Sequence, residues 1–143
     1  MDQDTLSLLG DCTAGIDMAV STMDGILLNV KDQTLRRKIQ DSMHSHQDLR
    51  SQTLALLRSM GGQEQYPSPM AKGMARLKIT TKMALGGDDT TAAYLVADGC
   101  DMGVKSLCRS RNRYAGANQE AKFLAEQLIH CEEVLSASLR PYF

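Results

Sequence analysis

Residues 6–30, LSLLGDCTAGIDMAVSTMDGILLNV, place apolar side chains at Leu9, Cys12, Ile16, Ala19, Met23, Ile26 and Val30, with Leu6, Val20 and Leu27 widening the stripe. Steps that alternate between three and four residues predict an amphipathic helix with one buried face. Asp32 follows as an N-cap. A second stripe then runs through Leu35, Ile39, Ser42, His46, Leu49, Thr53, Leu56 and Met60 to a stop at Gly61-Gly62. The short link Lys31-Asp32-Gln33 makes these two helices antiparallel neighbours.

After the polar connection Gln63 to Pro67, Ser68 and Pro69 read as an N-cap with proline at the first helical position. A shorter helix to about Leu85 carries Met70, Met74, Leu77 and Thr81 on one face, and Gly86-Gly87 stops it. Asp88 or Asp89 caps the next helix. Its stripe is Ala93, Val96, Ala97, Cys100, Gly103, Val104, Leu107 and Tyr114, and Arg109, Arg111 and Arg113 in its last turns suit the helix dipole. The final helix, from about Asn118 to Leu139, buries Ala121, Leu124, Leu128, Cys131, Leu135 and Ser138, with Tyr142 beside Pro141. Four helices of roughly 22–28 residues and one of about 17 predict an all-α, ferritin-like four-helix bundle, the short helix being a crossover between helices two and three. An internal echo agrees with two related hairpins: Gly15-Ile16-Asp17-Met18-Ala19-Val20 resembles Gly99-Cys100-Asp101-Met102-Gly103-Val104.

The 143 residues are expected to form a single domain, 1–143. With 43% hydrophobic residues, 23% charged residues and a net charge of -1, the composition excludes a disordered or polybasic chain, so nucleic acid is not an expected partner. The N-terminus, Met1-Asp2-Gln3-Asp4, is acidic where a signal peptide needs positive charge, and no apolar run is long enough to span a membrane. The expectation is a cytoplasmic protein whose Cys12, Cys100, Cys108 and Cys131 are reduced thiols. Leu8, Met18 and Leu28 lie away from the first helix's stripe and offer contacts for the crossover or for a second subunit, hence an expected homodimer.

The order and spacing of several helical motifs carry a resemblance. They are Leu35-Arg36-Arg37, Leu57-Arg58-Ser59-Met60-Gly61, Pro69-Met70-Ala71-Lys72, Asp101-Met102-Gly103-Val104, Leu128-Ile129-His130-Cys131-Glu132-Glu133 and the terminal Leu139-Arg140-Pro141-Tyr142-Phe143. Through them the chain resembles a ferritin-like family of bacterial proteins of unknown function, frequent in Firmicutes and distantly similar to spore coat protein F. The resemblance implies the fold over nearly the whole chain and brings no activity with it.

Iron-binding bundles of this type draw a Glu from each of two helices and an E-x-x-H from each of the other two. No E-x-x-H occurs here. The nearest strings, Asp41-Ser42-Met43-His44 and Gln127-Leu128-Ile129-His130, depart from the pattern, and His44 falls on the solvent face. Asp17, Asp101 and His130 are boundary residues within reach of the interior, a candidate set for iron. A second candidate set joins His46, Cys100 and Cys131 in one layer near mid-bundle, soft ligands suited to zinc or copper. The same three also read as core, the thiols packing as small hydrophobes and His46 bonding Ser42 one turn earlier.

There is no P-loop, G-x-S-x-G, H-E-x-x-H or dinucleotide fingerprint. The sequence therefore favours a non-enzymatic bundle acting as an interaction or structural protein without a cofactor. The alternative is a small metal-binding or redox protein with a mid-bundle site holding zinc, copper or iron.

Overall fold

The computed structural model describes residues 2–63 and 87–143. They form four helices, α1 (Asp2–Leu27), α2 (Gln33–Ser59), α3 (Asp89–Arg113) and α4 (Gln119–Ser138), and a 3-10 turn at Arg140–Tyr142. No described helix is long and apolar enough to cross a membrane. The crossover helix expected near Met70–Leu85 lies outside the described residues.

Three helices begin at side-chain caps: Asp32 accepts from the Leu35 amide at 2.8 Å, Asp88 from Thr91 at 2.8 Å and Asn118 from Ala121 at 2.9 Å. Each satisfies an orphan amide of the first turn, worth about 1 kcal/mol. At the end of α2, Gly62 N–H reaches the Leu57 carbonyl at 2.9 Å and Gly61 N–H the Arg58 carbonyl at 3.0 Å. This is a Schellman closure, and Gly61 takes the left-handed φ of 76° it requires.

Hydrogen bonds at the two ends of the bundle give the helix directions. At one end, Asp89 at the start of α3 accepts the Lys31 and Asp32 amides at 2.8 and 2.9 Å, and Tyr142 after α4 donates to Asp32 at 2.9 Å. At the other end, Asp4 accepts from Gly116 N–H at 2.9 Å and Thr5 Oγ1 from Asn118 N–H at 2.8 Å. Thus α1 and α4 run one way, α2 and α3 the other. α1 packs against α2 and α3, and α4 packs against the same two, so neighbours are antiparallel. The end of α2 and the start of α3 lie at opposite ends of the bundle, as a crossover connection requires.

The two hairpins are related by a pseudo-twofold visible in their contacts. In the echoed segments Ile16 and Cys100 are both buried, while Met18 and Met102 are both exposed. Asp17 accepts from Arg50 of α2, and Asp101 from Ser136 of α4. The shift of 86 residues that separates His46 from Glu132 also carries Asp32 onto Asn118, Gln33 onto Gln119 and His44 onto His130. The amides of Asp32 and Asn118 are in turn held by Asp89 and Thr5, which are themselves equivalent.

The core divides into two apolar clusters. One gathers Met23, Ile26, Leu35, Ile39, Val96, Cys100 and Leu135, the other Leu9, Cys12, Ile16, Leu54, Leu107, Leu124 and Leu128. Between them on α2 and α4 stand His46 and Glu132, both buried. Leu8, expected off the stripe, is fully buried, so the inward face of α1 is wider than its central stripe; Met18 and Leu28 are exposed.

Candidate functional site

Among the buried residues of α2 and α4, the ionisable ones are an imidazole and a carboxylate, His46 and Glu132. His46 Nε2 is paired with Glu132 Oε1, with the His46 side chain 0% and that of Glu132 6% exposed. On its other side, Nδ1 lies 2.7 Å from the carbonyl oxygen of Ser42 and 3.4 Å from the Ser42 hydroxyl. A carbonyl this close accepts from an N–H, so Nδ1 carries a proton. The Sγ of Cys131 is 3.6 Å from the same nitrogen.

Burial by itself pushes the His46 pKa down, because a charged ring loses its hydration. The contacts with Cys131 and Glu132, together with the Glu132 charge, override it and raise the pKa to about 10. The ring is therefore an imidazolium at neutral pH, neutralised by Glu132. Cys100, 3% exposed, closes the cluster from α3 beside Glu132. Burial first, and the Glu132 carboxylate after it, push that thiol far up, so it stays protonated. Gly103, one turn further along α3, makes room: a Cβ there would stand 3.1 Å from Glu132 Oε2.

The expected set of His46, Cys100 and Cys131 thus does gather at mid-bundle, around a residue the periodicity did not single out. The signal for Glu132 was present, since it lies one turn beyond Leu128 and one turn before Leu135. The stripe on α4 passes through Glu132, whereas Cys131 is half-buried at its edge. The second expected set is not brought together. Asp17 is bound by Arg50 Nε at 2.7 Å, Asp101 is exposed and accepts from Ser136 at 3.3 Å, and His130 is exposed. Among the described residues no three His, Cys, Asp or Glu side chains are arranged to hold a metal ion, and no buried side-chain nitrogen or oxygen lacks a hydrogen-bond partner.

A groove of about 750 Å³ runs between α2 and α4 over this cluster. Ser42 and Cys131 line it beside Leu49 and Val134, and Lys38, Asp41, Asp48, Glu126 and His130 supply its polar lining. The two residues that touch His46 Nδ1 are therefore also reached from the groove. Compared with known proteins, the chain matches no family model, no curated protein and no solved structure.

Proposed function

We propose that the chain is a ferritin-like bundle whose mid-bundle centre is a structural ion pair, and that it serves as an interaction or structural protein, as a cytoplasmic homodimer. The observation carrying this reading is that the protein itself engages both ring nitrogens of His46, Nδ1 by the Ser42 carbonyl and Nε2 by Glu132. A histidine ligand must offer a nitrogen lone pair, and a protonated ring offers none. The helix directions support the ferritin-like arrangement, and exposed Leu28, Met102 and Phe123 give the outer surface apolar contact points.

A second reading, a zinc or copper site, draws support from Cys131 lying beside His46 and Cys100 beside Glu132. Elemental analysis of protein purified without a histidine tag separates the two. The structural reading expects zinc, copper and iron well below one per chain; about one metal ion per chain, lost in His46→Ala, overturns it. Light scattering at micromolar concentration is expected to give the dimer mass, and a monomer mass removes the homodimer from the proposal.

A further inference from the structure

Burial divides the four cysteines. Cys12 and Cys100 are 1% and 3% exposed. Burial, with a smaller contribution from Asp11, pushes the Cys12 thiol up to about 12, and the Cys100 thiol is raised further still. Thiols in such places are inert. Cys108 and Cys131 are half-buried but differ in their neighbours. Cys108 packs against the apolar cluster of Leu107 and Leu124. Cys131 lines the α2–α4 groove with its Sγ 3.6 Å from the protonated Nδ1 of His46. The ring cannot swing away without breaking two bonds, because Glu132 holds Nε2 and the Ser42 carbonyl holds Nδ1. A cationic ring fixed 3.6 Å from a sulfur stabilises the negative charge that develops on it as it gives up its proton during reaction.

We propose that Cys131 is an oxidisable thiol that reacts with neutral hydroperoxides entering the α2–α4 groove, with His46 as the residue that positions and polarises its sulfur. Neutral peroxides fit because Asp41 and Asp48 outnumber Lys38 in the groove, with Glu126 paired to Arg111, and the net negative lining disfavours anionic ones. The sulfur lone pair attacks the distal oxygen of the peroxide, forming the S–O bond as the O–O bond breaks. The thiol gives up its proton as the S–O bond forms, and the departing oxygen takes up a proton and leaves as an alcohol, or as water from hydrogen peroxide. Sulfur is oxidised by two electrons to a sulfenic acid, and the peroxide is reduced by two. His46 keeps its protons and supplies positive charge at the sulfur throughout.

The test treats the intact chain with hydrogen peroxide, traps sulfenic acid with dimedone and follows each cysteine by peptide mass spectrometry. Cys108 serves as the internal reference. Labelling of Cys131 is expected at least about tenfold faster than that of Cys108, with Cys12 and Cys100 protected. Equal or slower labelling of Cys131 overturns the proposal. His46→Gln removes the charge, and Glu132→Gln removes the carboxylate that keeps the ring cationic; each is expected to bring the Cys131/Cys108 ratio towards one. Because the ratio is measured within one molecule, a uniform loss of stability does not imitate this change. A wild-type ratio retained in whichever of the two variants keeps its helical circular dichroism overturns the role of His46, and the wild-type ratio by itself decides that of Cys131.

Discussion

His46 and Glu132 are a charge pair inside an apolar bundle, and removing one member strands the other. Glu132→Ala is expected to cost about 3–5 kcal/mol in urea unfolding. The double variant His46→Leu/Glu132→Met replaces the pair by apolar side chains of similar size and is expected to be more stable than either single replacement. A double variant no better than the singles would mean that shape, rather than charge, governs the site. The pair also predicts a pH dependence. A histidine pKa raised to about 10 in the folded state, against about 6.5 unfolded, means that the native chain holds the extra proton between these values. The stabilisation is complete below about pH 6.5 and is lost as pH rises towards 10, with a slope of at most ~1.4 kcal/mol per pH unit. Above about pH 8.5 the raised thiols of Cys12 and Cys100 add losses of the same sign, so the window from about 6.5 to 8.5 reports His46. Urea midpoints across that window should fall in the wild type and stay level in the double variant.

Within the helices, glycines in similar sequence surroundings have different roles. Gly25 and Gly99 have nothing within 4 Å of an added Cβ, so Gly25→Ala and Gly99→Ala are each expected to raise stability by about 0.5–1 kcal/mol through helix propensity. Gly103 sits in α3 as well, yet its added Cβ meets Glu132 Oε2 at 3.1 Å, and His46 limits how far that carboxylate can move. Gly103→Ala is expected to forfeit the gain in the wild type and to recover it in a Glu132→Ala background, as thermal melts of the four combinations would show. The echo of Gly99–Val104 with Gly15–Val20 was legible as sequence. The different duty of Gly103 was not, because it depends on a side chain brought in by another helix.

At the scale of the whole bundle, loop amides are tied to the first turns of helices in the other hairpin. Asp89 holds the Lys31 and Asp32 amides, and Asp4 and Thr5 hold those of Gly116 and Asn118. Asp89→Ala removes two charge-assisted hydrogen bonds and is expected to cost about 2 kcal/mol, with hydrogen exchange accelerated at the α1–α2 loop before the α3–α4 loop. Equal acceleration at both ends would show that the two clasps open together. The sequence offered Asp88 and Asp89 as rival caps of one helix. In the fold Asp88 caps α3, and Asp89 joins it to the other hairpin.

The limits of the described helices and most of their inward stripes were determined by the sequence itself, because a period near 3.6 and the capping chemistry of Asp32, Asn118 and Gly61-Gly62 act within a few residues of each other. The burial of His46 followed from the same local rule. Only the tertiary structure decided that Glu132 is its partner, that Asp17 belongs to Arg50, and that Cys131 lies between the groove and the imidazolium. Those pairings depend on the rotation and axial register of packed helices. A turn of one residue's angle, about 100°, exchanges Cys131 for Glu132 at the centre of the bundle, and no pattern within a single helix determines that rotation.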